Sequence, residues 1–166
     1  MAKALFCTDA DIKKFTAMNG NIDADKFTNF IYIAQQTHIQ NYLGTDLYNK
    51  INDDIVSQTI SGIYLSLLND YVKPMTIYWA FAEFLPFSAY TIGNKGVYKH
   101  GSENSETATK EEVDFLVEKT RDIAQHYTQR FIDYMCENYT NYPEYTSNTD
   151  NDIKPDKNNT FNGWYF

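Results

Sequence analysis

Residues Pro74–Phe84 read PMTIYWAFAEF. Glu83 is the one charged residue in this run, and apolar or aromatic side chains fall on every side of a helical turn. A helix of that kind belongs at the centre of a core or against neighbouring subunits. Pro74 suits the first turn of a helix, where a missing N–H costs nothing, so a new helix opens there. Pro86 kinks or ends it. Glu83 and Pro86 also interrupt the apolar stretch from Met75 to Ile92 too soon for it to span a bilayer.

Outward from this centre the pattern stays helical. Thr8 and Asp11, with Asp9 in the first turn, signal a short helix through Phe15. MNGNIDAD (Met18–Asp25) reads as a turn. A second helix starts near Asp23–Asp25 and runs to Leu43. Phe27, Phe30, Ile31, Ala34 and Tyr42 keep helical spacing, with His38 filling the gap. Gly44 stops it as a left-handed cap and Thr45 caps the next helix at once. NYLGTDLYNKI (Asn41–Ile51) is therefore a tight corner, and Leu47, Tyr48, Ile51 and Ile55 form the buried stripe of the third helix.

IGNKGVYKHGSENSET (Ile92–Thr107) breaks the pattern. Gly93, Gly96 and Gly101 bracket a short strand or hairpin arm, and a surface loop follows. Thr109 and Glu112 form a capping box for the longest helix, Lys110–Asn138. Its core face reads Val113, Leu116, Val117, Ile123, Ala124, Tyr127, Phe131, Tyr134 and Met135. After Tyr139 the chain turns polar, with two prolines and many Asn, Thr and Asp. The expected fold is mainly α: a helical bundle over 1–141, a short β-hairpin or extended loop near 93–101, and an extended C-terminal tail over 142–166 without its own core.

Composition narrows the class. At 166 residues, 43% hydrophobic and 22% charged, the chain reads as one globular domain. Aromatic residues make up 16%, and tyrosine and tryptophan favour half-wet protein interfaces. A net charge of −8 disfavours sequence-independent contact with DNA or anionic lipid. Cys7 and Cys136 make no disulfide framework and read as reduced thiols of a cytoplasm-made protein. The N-terminus turns charged before any apolar stretch develops, unlike a signal peptide.

No catalytic motif emerges. His38, His100 and His126 are scattered, without metal-ligand spacing. The carboxylate pairs Asp23–Asp25 and Glu111–Glu112 sit at helix starts, where the helix dipole favours them. From Asp150 the chain begins like a calcium loop, but Lys154, Pro155 and Phe161 occupy the places of a ligand, the turn glycine and the bidentate glutamate. Phosphate-loop, dinucleotide and nucleophile-elbow patterns are missing, and Cys136 reads as a packed thiol. The expectation is a non-enzyme without catalytic residues, cofactor or metal.

The last nine residues, NNTFNGWYF (Asn158–Phe166), include four aromatics. Burying such rings favours docking on another chain, with folding back onto its own domain as the alternative.

FIYIAQQTHIQNYLGTDLYNKI (Phe30–Ile51), YVKPMTIYWAFAEFLPFSAYTIGNKGVYKHGSENSE (Tyr71–Glu106) and the closing FNGWYF together resemble head–tail connector (adaptor) proteins of tailed bacteriophages. The closest likeness is to those of crAss-like and related phages of Bacteroidetes. The resemblance implies a ring in the virion neck, made in the host cytoplasm, that sits beneath the portal and continues the DNA channel. Implied partners are the portal protein, other neck and tail rings, copies of the chain in a dodecameric ring, and passing DNA without sequence-specific contact; no membrane is implied. The gripping segment becomes 142–166, with Phe161, Trp164, Tyr165 and Phe166 as anchors and Tyr142 and Tyr145 as further interface residues. Lys95, Tyr98 and Lys99 become the projecting residues of a second interface. A stopper or tail-completion ring of the same particle is one alternative; a bacterial helical hydrolase or binding module is another.

Overall fold

The computed structural model describes residues 3–18, 24–88, 90–93, 96–99 and 108–158. The fold is mainly α-helical. Helix α1 (Asp9–Phe15) starts with a full capping box, in which Thr8 and Asp11 each accept from the other's backbone N–H. Helix α2 (Ala24–Ala34), a π-turn (Gln35–Ile39) and helix α3 (Gln40–Leu43) form one continuous run. The π-turn shifts the helical register so that Gln35 and Ile39 both face inward. The buried Gln35 amide then accepts from Phe6 N–H at 2.8 Å and donates to the Ala4 carbonyl at 3.0 Å, fastening the N-terminal segment to the bundle.

Helix α4 (Thr45–Val56) turns the corner at Gly44, whose φ of +76° and ψ of 158° lie in the extended, glycine-only region. The sequence pointed to a left-handed cap here. Thr45 does not cap α4 either: it is the first helical residue, and Gly44 holds the cap position without a side-chain bond.

Helix α5 (Gly62–Leu67), a second π-turn (Leu68–Val72) and helix α6 (Lys73–Phe84) also run on without a break. Pro74 therefore does not open a separate helix. A proline removes one backbone donor from the ladder. The wider turn immediately before it, closed by Lys73 N–H on the Leu68 carbonyl, carries the chain past that loss. Pro86 falls in the 3₁₀ turn Leu85–Phe87 that ends the run. Strands β1 (Tyr90–Gly93) and β2 (Gly96–Lys99) pair antiparallel, Gly93 opposite Gly96. Helix α7 (Lys110–Asn138) begins at the Thr109–Glu112 capping box. A 3₁₀ turn (Tyr139–Asn141) and helix α8 (Pro143–Thr146) follow.

Helix α6 is the centre, enclosed by α1, α2 and α7. Met75, Ile77, Trp79, Ala80, Ala82 and Phe84 are buried around its circumference. The Trp79 indole N–H donates to Thr128 Oγ1 at 3.0 Å. Its ring stacks on His38 at 3.9 Å between centroids. Along α7, Val117, Ala124, Phe131 and Met135 face the core as expected, but Leu116 and Ile123 are exposed. Thr120 and Thr128 take the inward positions instead. Each satisfies its hydroxyl on a carbonyl one turn back, at 2.7 and 2.8 Å, so burial leaves no donor unpaired. No helix among the described residues is long and apolar enough to cross a membrane.

Candidate functional site

Residues 142–158 were expected to leave the domain as a docking tail. They instead run back over the α3–α4 corner as a strap. Tyr142 and Tyr145, expected as interface residues, are buried in the chain's own core. Tyr142 meets Tyr64 edge-on at 5.4 Å, and its hydroxyl bonds that of Tyr134 at 2.9 Å. Tyr145 stands edge-on to Phe131 at 6.2 Å, and burial first of all pushes its hydroxyl up to about 12. Burial is the physical reason for the correction: a fully covered ring stabilises its own fold and offers nothing to a second protein. The domain boundary drawn at residue 142 thus falls inside the packed body.

Polar contacts hold the rest of the strap. The Asp46 Oδ2 atom accepts from Ser147 Oγ at 2.6 Å and from both the backbone N–H and the hydroxyl of Thr149 at 2.9 Å. The Ser147 hydroxyl, then the Thr149 N–H, hold the Asp46 carboxyl below the usual carboxylate range. Thr45 N–H donates to the Ile153 carbonyl at 2.9 Å. Its hydroxyl donates to Asp152 Oδ2 at 2.8 Å and accepts from Ile153 N–H at 3.2 Å. Asp156 N–H closes the series on the Asn41 carbonyl at 2.8 Å. Pro155 lies against Gly44, so close that a Cβ there would meet the proline ring at 2.7 Å. The tight corner therefore serves as a seat for the strap, and the seat decides where residue 158 ends up.

Residues 39–155 match the family described as a family of unknown function (DUF6712). The chain belongs to that family. The match runs from the end of the first π-turn through the corner, the central helix and α7 to Pro155, so the seat and the strap as far as Pro155 lie within it. Neither a curated protein nor a solved structure matches the chain.

Of the other expected interface residues, Phe161, Trp164, Tyr165, Phe166 and Lys95 lie outside the described residues. Tyr98 and Lys99 belong to β2, and only their backbone is described. His38 is committed to the core seam: its Nε2 donates to Glu83 Oε1 at 2.9 Å, and this bond holds the Glu83 carboxyl below its usual range against the opposing effect of burial. Cys136 was expected to be packed and is exposed, whereas Cys7 is buried and its thiol is pushed up to about 12, chiefly by that burial. Beside the strap an open polar cavity of about 460 Å³ is lined by Gln36, Gln40, Asn49, Asp150 and Asp152 among others. No group of three or more His, Cys, Asp or Glu suited to a metal occurs among the described residues.

The arrangement is suited to anchoring. The seat was hidden from sequence reading because its bonds join residues about a hundred positions apart, such as Ser147 to Asp46. The one local hint was the pair Tyr142 and Tyr145, rings too large to leave idle in a polar stretch.

Proposed function

We propose that the chain is a structural virion protein: a ring between portal and tail that continues the DNA channel and docks on its neighbours through its C-terminal segment. It has no catalytic step. The observation that carries this reading is the strap. A strap pinned by Thr45, Asp46 and Pro155 delivers the aromatic segment 159–166, which has no charged side chain, from a fixed point on the helical body. Preorganising the exit point lowers the ordering cost of docking that segment on another protein. The net charge of −8 suits a channel wall along which DNA slides without sticking. The resemblance of Phe30–Ile51, Tyr71–Glu106 and the closing FNGWYF to phage adaptors supplies the particle and the portal. A stopper or tail-completion ring of the same particle, or an unrelated bacterial helical binding module, is the competing reading.

Native mass spectrometry with the portal protein of the same genome tests the proposal, comparing the full chain with one ending at Asn158. Loading of the full chain in many copies, and not of the shortened one, makes 159–166 the clamp. Equal loading keeps the ring and moves the clamp elsewhere. If neither loads, the portal contact is wrong and the binding-module reading takes its place.

A further inference from the structure

A second surface on the body has the opposite character to the strap. Between α1, α6 and α7 lies a groove of about 320 Å³, at the small end of ligand-sized pockets, about 300–1,000 Å³. Its walls are aromatic. Tyr78 and Tyr127 stack at 5.3 Å with an interplanar angle of 10°, and Phe15 stands beside them 51% exposed. The Tyr78 hydroxyl fixes the groove's edge by donating to the Phe15 carbonyl at 3.0 Å. Its rim carries cations in an otherwise acidic protein. Lys14 lies 5.2 Å from the Phe15 ring centre, and Lys73 pairs with Asp11, which also lines the groove, at 3.7 Å; just outside the lining, Arg130 lies 5.8 Å from the ring centre of Tyr127. Half-buried tyrosines with arginine are the composition of interface hot spots.

We propose that this groove in one copy receives residues 159–166 of a second copy. Two features select that occupant. The segment brings four rings and no charged side chain, matching stacked aromatic walls that have room for only one or two side chains. The strap that delivers it is acidic, with Glu144, Asp150, Asp152 and Asp156 against Lys154 and Lys157, so it complements the groove's cationic rim. A donor patch and an acceptor patch at different places on one chain make a head-to-tail contact, which closes into a ring when the rotation allows. The inference rests on the proposal that copies of the chain assemble with one another.

The test is photocross-linking from the groove, without portal. The full chain carrying Phe15→p-benzoyl-phenylalanine is prepared in natural-isotope and ¹⁵N forms, mixed, irradiated and mapped by mass spectrometry. The half-exposed Phe15 tolerates the larger ring. Expected are cross-links from position 15 to 159–166, with mixed-isotope pairs as abundant as same-isotope pairs. Lys14→Glu lowers their yield severalfold and Lys14→Arg restores it. Same-isotope pairs alone mean that the tail covers its own groove, and they overturn the proposal. So does the absence of links to 159–166, or their appearance instead from the same probe at Phe115, on the exposed apolar end of α7. Portal loading and this cross-link fail independently: either can be lost while the other stands.

Discussion

Gly44 carries more of this fold than its size suggests. Its φ of +76° excludes side chains on conformational grounds, and the Pro155 ring fills the space that a Cβ would need. Gly44→Ala is expected to cost about 1–3 kcal/mol from the backbone alone, and more from the clash. Adding Pro155→Ala removes the clash and leaves the backbone cost, so urea denaturation of the double variant returns part of the loss; identical stabilities for Gly44→Ala and the double variant would show the clash to be negligible. Asp46 holds the same seat electrostatically. Its carboxyl is lowered in the folded state by Ser147 and Thr149. A lowered carboxyl contributes stability that is full above the ordinary value and is lost as pH falls through the folded one. Protection of the amides across 147–153, taken relative to their intrinsic exchange rates, should therefore be high at neutral pH and fall below about pH 4, ahead of protection in α6; a fall in both together would mean that Asp46 has no separate hold on the strap. The cysteines give a simpler check. The buried Cys7 thiol, pushed up to about 12, stays inert, while the exposed Cys136 is open to reagent. A thiol reagent should label Cys136 alone in the native protein and both after denaturation, each site identified by peptide mapping.

At the scale of elements, what could be read from sequence was whatever local chemistry determines. The bounds of α7 follow from a capping box and a long apolar period, and they agree with Lys110–Asn138. The first π-turn could not be read, because Gln35 faces inward to meet the backbone of Ala4–Phe6 and the Tyr48 hydroxyl, all far from it in sequence. Thr120 and Thr128 were missed for the same kind of reason: residue type suggested solvent, but a hydroxyl returned to its own helix is at home in a core. Leu116 and Ile123 were placed in the core because periodicity gives a face its width only approximately. The meeting of α6 with the first π-turn and α7 at Trp79 is the element-level contact to test. Trp79→Phe loses the bond to Thr128 and much of the stack on His38, and the expected cost is on the order of 2 kcal/mol. A double-mutant cycle with Thr128→Val should give a coupling of about 0.5–1.5 kcal/mol for the hydrogen bond; a coupling of zero would assign the whole loss to packing.

For the whole molecule, the strap changes what a truncation means. A chain cut after Asn141 loses Tyr142 and Tyr145 as well as the terminal rings, and uncovers Phe131, Tyr64 and the α4 corner that they pack against. Two large buried side chains contribute roughly 3–6 kcal/mol, a large share of the 5–15 kcal/mol that holds a typical domain together. At about 2–4 °C per kcal/mol, its melting temperature should fall by on the order of 10–20 °C. A chain cut after Asn158 keeps every contact described for the strap and should melt within a degree or two of the full chain, by roughly the change expected of a surface alteration. Differential scanning calorimetry on the three chains decides this. An equal, small effect of both cuts would mean that the strap is a passenger on the corner, and the exit point of 159–166 would then not be preorganised. A large effect of the longer cut alone makes the strap part of the body. Only the cut after Asn158 then separates docking from folding, because a loss of assembly after Asn141 would follow from a weakened domain even where the terminal rings touch nothing.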